Sequence, residues 1–268
     1  MPFQRFSRRL LLPLATIAVA ITVLAAFPNS KQTSRVYPSQ NNNRKQSAEM
    51  VIPIVDYDDG AADNKLAASA ESKSLELRKL RNGRYDNRVW VQKDEQRSQI
   101  LSTNHWWLGL SALPVAQSDA IVLGEIVESQ AYLSKDKSGV YSEFDIRINE
   151  VLKAPKTISL FTGDIIIGER AGGAVRFPSG RITQYFFLGQ GFPRAGRLYL
   201  LFLKMNEYGQ DFHILTGYQL RRRKVQALDQ TDIFAQYEGR DQNSFFNDLR
   251  EAIAQAEKDS PTKGGEIK

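Results

Sequence analysis

The chain has no cysteine and only two histidines, His105 and His213. The first absence excludes a disulfide scaffold, a thiolate nucleophile, a cysteine-ligated zinc and an iron–sulfur centre. The second leaves too few ligands for a histidine-rich metal site, so neither metal nor cofactor is expected. Also missing are a G-x-S-x-G elbow, a P-loop lysine, an H-E-x-x-H helix and a G-x-G-x-x-G between strand and helix. Gly189-Gln190-Gly191, with Gly196 beyond, begins like a phosphate loop. Pro193 and the lack of a following helical pattern argue against that reading. The acidic stretch Asp56–Asp63 lacks the spacing and closing glutamate of an EF-hand. No internal repeat is visible.

What is present is the composition of a globular protein: 268 residues, 42% apolar and 25% charged, with a net charge of +6. The charge is unevenly placed. Residues 1–30 contribute three arginines and no acid, and residues 31–115 hold 13 basic against 10 acidic side chains. Residues 116–268 hold 20 of each. A protein that tracks a phosphate backbone concentrates its basic residues on the folded surface, so nucleic acid is not expected as the ligand. One dense cluster, Arg221-Arg222-Arg223-Lys224, stands out. It reads as a solvated turn, or as a patch for an acidic partner such as anionic lipid, cell-wall polymer or protein.

Arg5, Arg8 and Arg9 precede an uncharged run of 18 residues, Leu10–Phe27, with Ala18-Val19-Ala20 matching an A-x-A cleavage site. That is the order of a secretory signal, and the run is also inside the window of about 17–25 residues for a spanning helix. Residues 1–27 are therefore expected to be a signal peptide or a transmembrane signal-anchor. The barrel is expected in the cell envelope, anchored outside the cytoplasm, or secreted or periplasmic if the signal is cleaved. The membrane is then the first partner.

Residues 28–104 read as a flexible, disordered linker, because Ser30–Ser47 and the acidic stretch have almost nothing apolar to bury. A short helix is expected at 65–80, stopped by Asn82-Gly83. The aromatic cluster Asn104-His105-Trp106-Trp107 marks the start of the folded part, a β domain over 105–240. Its clearest signal is Val140–Asn149, in which Val140, Ser142, Phe144, Ile146 and Ile148 alternate with Tyr141, Glu143, Asp145, Arg147 and Asn149. The period of two predicts a half-buried strand with a polar outer face.

Further strands are expected at Ala120–Ser129 (with Gly124 at a bulge), Ile158–Phe161, Ile165–Ile167, Ala174–Phe177, Ile182–Leu188, Leu198–Met205, Phe212–Leu215 and Lys224–Leu228. Turn residues punctuate them at Pro178-Ser179-Gly180 and Tyr208-Gly209-Gln210. The fold class is mainly β: a small antiparallel barrel. A helix over 241–258, with Phe245, Leu249 and Ile253 on one face and Asn243 or Ser244 as cap, is expected to close one end. Residues 259–268 form a tail.

The segments at 119–126 (DAIVLGEI), 141–155 (YSEFDIRINEVLKAP), 163–173 (GDIIIGERAGG) and 192–203 (FPRAGRLYLLFL) together resemble the netrin-module/TIMP-like class of OB-fold barrels. The likeness covers about residues 115–230 and is strongest to secreted or anchored bacterial members. It implies an OB-like barrel and carries no activity over. The inhibitory members act through an N-terminal cysteine, which this chain does not possess.

Function is expected to be non-enzymatic: an envelope binding or interaction module for an envelope protein or surface polymer. An OB-like barrel would bind on an outer strand face and its bordering loops, and Arg176, Arg181 and Tyr185 around the Pro178–Gly180 turn are the candidate residues. An alternative is an anchored hydrolase of envelope glycan or ester using a carboxylate pair, Glu143 with Asp145 or Asp164 with Glu169. A further alternative, single-stranded nucleic-acid binding, is opposed by the neutral domain and the export signal. His213 is read as structural, and His105 has no partner in the pattern.

Overall fold

The computed structural model describes residues 52–58, 72–88, 90–92, 96–207 and 211–259. The expected signal or anchor at 1–27, linker residues 28–51 and 59–71, the turn at 208–210 and the tail from 260 lie outside the described residues. Among the described residues, no helix is long and apolar enough to cross a membrane.

The elements in chain order are β1 (Ile54–Asp56), α1 (Ser72–Arg84), β2 (Gln99–Ser102), β3 (Ala120–Leu133), β4 (Val140–Lys153), β5 (Ile165–Ala171), β6 (Gly173–Arg176), β7 (Ile182–Phe187), β8 (Leu198–Met205), β9 (Phe212–Arg221), β10 (Lys224–Ala227), α2 (Asp232–Ala235) and α3 (Gln242–Asp259). The chain is mainly β, with a C-terminal helix. Strands β3, β4, β5, β9 and β8 close a ring, because β8 pairs with both β9 and β3. The ring is antiparallel except at the β5–β9 seam, which is parallel. The sequence pattern suggested an antiparallel barrel throughout. The difference arises because the β6–β7 hairpin and β8 intervene between β5 and β9, and so long a connection can return a strand in parallel.

The alternation along β4 is as expected from Phe144 to Ile148, with Phe144, Ile146 and Ile148 buried inside the ring. Gly124 sits at a register shift of β3 against β4. A Cβ there would lie 2.5 Å from Ile146 Cγ2, so the close approach of the two strands requires glycine. Ile158–Phe161 is not a strand. The edge it would use is taken by Gly163 and Asp164, which exchange backbone bonds with Ile148. Ile158 and Leu160 instead tuck against the ring core.

A second sheet, in the order β1-β6-β7-β2, is built on the hairpin at the Pro178–Gly180 turn. Both of its outer strands come from the segment read as linker. Ile54–Asp56 pairs in parallel with Ala174–Arg176, and Gln99–Ser102 pairs in parallel with Gln184–Phe187. The polar composition of 28–104 hid Ile52, Val55 and Val91, which are buried. These few apolar residues suffice because the hairpin offers two unpaired edges for short strands to satisfy. The expected helix at 65–80 is found as Ser72–Arg84, running through Asn82-Gly83. It continues because Arg81, Asn82 and Arg84 all find partners on the ring.

Helix α3 buries Phe245 and Leu249 against Ile121, Leu200, Phe202, Tyr218 and Val225. Those residues alternate with Val122, Leu201 and Leu203, which face the ring interior. The helix therefore covers the flank of the barrel rather than closing its end. The expected cap also moves by two residues: Asp241 Oδ1 accepts the Asn243 N–H at 2.9 Å.

Candidate functional site

Three polar constellations stand out, and one of them is open. It is a groove of about 1010 Å³ between the second sheet and the β8-β9-β10 face of the ring. Register builds its wall. Tyr199 pairs with Gln219 and Gln219 with Gln226, which puts these three side chains in one row across β8, β9 and β10. Arg197, just before β8, and Arg221 also line the groove, and Arg221 pairs with Lys224. A basic row thus runs beside an amide row. On the facing side, Gln99 and Gln184 are paired across β2 and β7, with an amide hydrogen bond of 3.3 Å. Phe186 and Leu188 complete that side of the groove.

The floor is fixed by a buried clasp. Arg170, 1% exposed on β5, donates five hydrogen bonds. Two go to the carboxylate oxygens of Asp229 at 2.7 and 2.8 Å, and the others go to the carbonyls of Ile214, Leu215 and Gly191. Asp229 also accepts from Thr216 Oγ1 at 2.7 Å and from the Gly191 N–H at 2.8 Å. A buried guanidinium with every donor used and its charge neutralised is a structural tie. It draws Gly191 so close that a Cβ there would lie 2.0 Å from the Leu228 carbonyl. The Gly189-Gln190-Gly191 segment is therefore where two stretches of backbone meet. Trp106 lies over Arg170 at 5.3 Å and donates from Nε1 to the Leu188 carbonyl at 3.2 Å. The aromatic cluster thereby locks the same corner.

The third constellation lies under α1. Arg81 reaches Glu143 at 2.7 Å and Asp211 at 3.2 Å, and Arg84 reaches Glu169 at 2.6 Å and Asp211 at 3.0 Å. Asn206 Nδ2 donates to Glu169 at 3.1 Å and Asp211 at 3.0 Å. Tyr85 stacks on Tyr141 with ring centres 4.5 Å apart. Glu143 and Glu169 are cross-strand partners on β4 and β5, and His213 is the β9 partner of Glu169.

Burial pushes the Glu169 carboxyl up to about 7, helped by Asp211 and Glu143 and opposed by Arg84. Burial raises Glu143 as well, against the pull of Arg81. Burial lowers His213 to about 4, with Arg170 and Arg84 adding like-charge repulsion. The polar face of β4, which alternation suggested was solvated, is thus closed at Tyr141 and Glu143 (0% and 5% exposed). One acid of each pair weighed for hydrolysis, Glu143 of Glu143/Asp145 and Glu169 of Asp164/Glu169, faces an arginine instead of the groove. Asp145 is half-buried and raised by burial and Glu128.

The residues proposed from sequence do not converge. Arg176 is opposite Asp56 in the β1–β6 ladder and 3.1 Å from it, both half exposed. Arg181 donates to Gln96, to its carbonyl at 2.9 Å and to Oε1 at 2.7 Å. Tyr185 is 1% exposed in the core of the second sheet and pairs with Gly173, three residues from Arg176. The groove is lined instead by Gln184 and Phe186, on the other face of the same strand. Period two along β7 separates the faces, but which face meets solvent depends on the barrel beside it. Among the described residues no group of three or more His, Asp or Glu side chains is arranged to hold a metal ion. No family model matches the chain, and no curated protein matches it.

Proposed function

We propose that this protein is a non-enzymatic binding module of the cell envelope, that its ring is an OB-like barrel of the netrin-module/TIMP-like kind, and that its ligand lies in the groove beside β8, β9 and β10. The ring order, with a single parallel seam between the third and fifth strands, supports the OB-like reading. The observation that carries the binding reading is the groove wall. Side-chain amides on both sides offer donors and acceptors to a ligand, beside cations, over a floor held rigid by Arg170 and Asp229. One acid of each carboxylate pair that a hydrolase would use, Glu143 and Glu169, is engaged by Arg81 and Arg84. Residues 1–27 support export, as read from their sequence. The partner is then a surface polymer or protein of the envelope.

The test is fractionation of expressing cells, with intact mass, protease access from outside, and sedimentation of the purified full-length chain with washed envelope material. The reading predicts an envelope-associated, externally digestible domain that sediments with that material, and a Gln219→Trp variant that folds but does not. A cytoplasmic form, or sedimentation untouched by filling the groove, would overturn it.

A further inference from the structure

The basic row of the groove wall has no structural return. Arg221 and Lys224 are cross-strand partners on β9 and β10, about 5 Å apart, Arg197, just before β8, lines the groove with Arg221, and like charges directly opposite one another destabilise a sheet. Six other arginines of the domain, Arg81, Arg84, Arg147, Arg170, Arg176 and Arg240, each reach a carboxylate. Arg194, Arg197, Arg221, Arg222, Arg223 and Lys224 are all exposed, and none forms an ion pair among the described residues. Two of them, Arg222 and Arg223, also hold left-handed backbone. The β9–β10 turn is the pair Arg222-Arg223, with φ of 50° and 62°, where Asn-Gly is the favoured sequence. Unpaired cations at positions that disfavour them mark a surface shaped for an anion.

Resting on the groove as the binding site, we infer that the ligand is an acidic polysaccharide of the uronate type, laid across β8, β9 and β10. Its carboxylates would meet the basic row and its hydroxyls the Gln219 and Gln226 row. The neighbouring amides favour a sugar over a nucleic acid. A base-stacking channel needs a series of exposed aromatic faces. Here Phe187, Phe192 and Tyr199 are buried, and Phe186, the remaining lining aromatic, is half-buried against the ring core.

The test is titration of the detergent-solubilised full-length chain with polygalacturonate, neutral dextran, oligo-dT and anionic phosphatidylglycerol micelles. The inference predicts saturable polygalacturonate binding that weakens with salt and falls at least tenfold in Arg197→Ala/Arg221→Ala. It predicts an equal melting temperature for that variant and no comparable binding of dextran. Equal binding of dextran would overturn the charge reading while leaving the groove reading in place. Tighter oligo-dT or micelle binding would overturn the choice of a glycan. Absence of polygalacturonate binding by a chain that still sediments with envelope through the groove would overturn the inference alone. Loss of both would overturn the groove.

Discussion

Arg170 meets Asp229 end-on, its two terminal nitrogens 2.7 and 2.8 Å from the two carboxylate oxygens, in a place closed to water. This pair joins β5 to the loop after β10 and anchors Gly191 under the groove. Asp229→Asn keeps the shape but leaves the guanidinium uncompensated. A loss of about 3–5 kcal/mol is expected, because an unpaired buried charge is costlier than a missing pair. Urea unfolding of the variant beside the parent measures it, and a loss below about 1 kcal/mol would show that the clasp does not hold the fold.

Glu169 and His213, side by side on β5 and β9, oppose each other in pH dependence. Glu169 is raised from 4.5 to about 7, so its contribution is full below pH 4.5 and lost as pH rises through 7. His213 is lowered from 6.5 to about 4, so its contribution is present above 6.5 and lost as pH falls through 4. Each is worth roughly 3 kcal/mol, and between about pH 4.5 and 6.5 they largely cancel. Single variants separate them. Glu169→Gln should become less stable on acidification from pH 6.5, and His213→Gln should become more stable from pH 7 down to 4.5. Melting temperature against pH reads both slopes, and parallel slopes would refute the assignment.

The described residues before 105 are a structural part of the domain. They supply both outer strands of the second sheet and the arginines that neutralise Glu143, Glu169 and Asp211. A chain beginning at residue 105 should fail to give a cooperative thermal transition. Arg81→Ala in the full chain should cost about 3–5 kcal/mol by leaving Glu143 buried without its partner. Circular dichroism melts test both, and a cooperative transition in the truncated chain would restore the tether reading.

The Arg222-Arg223 turn should show a trade of stability against binding. Replacement by Asn-Gly removes two side chains from left-handed positions and should stabilise the fold by about 1 kcal/mol. Thermal melting detects the gain. An unchanged or lower melting temperature would mean that the φ values of 50° and 62° cost nothing.

Much of the fold was legible because alternation is a local signal. Phe144–Ile148, the Pro178–Gly180 hairpin and the apolar face of α3 all lie where period two or period 3.6 puts them. What was not legible depends on partners distant in sequence. Ile54–Asp56 is too short to show a period, and it is a strand only because Ala174–Arg176 offers an edge. Glu143 looks solvent-facing in the β4 pattern, yet it is buried by Arg81, 62 positions earlier.

The groove proposed as the site was not legible for the same reason. Arg176 and Arg181 flank a recognisable turn, whereas Arg197 and Arg221, 24 positions apart, meet only in the lining of the groove. The Arg221–Lys224 cluster was the one available signal, and the amides of Gln219 and Gln226 beside it carried none.

The most direct test of the account is hydrogen–deuterium exchange of the full-length chain with and without solubilised envelope polymer. The account predicts protection in residues 184–199 and 217–228, around the groove, with the Arg176–Arg181 turn unchanged. Protection confined to that turn, or to the face under α1, would contradict it.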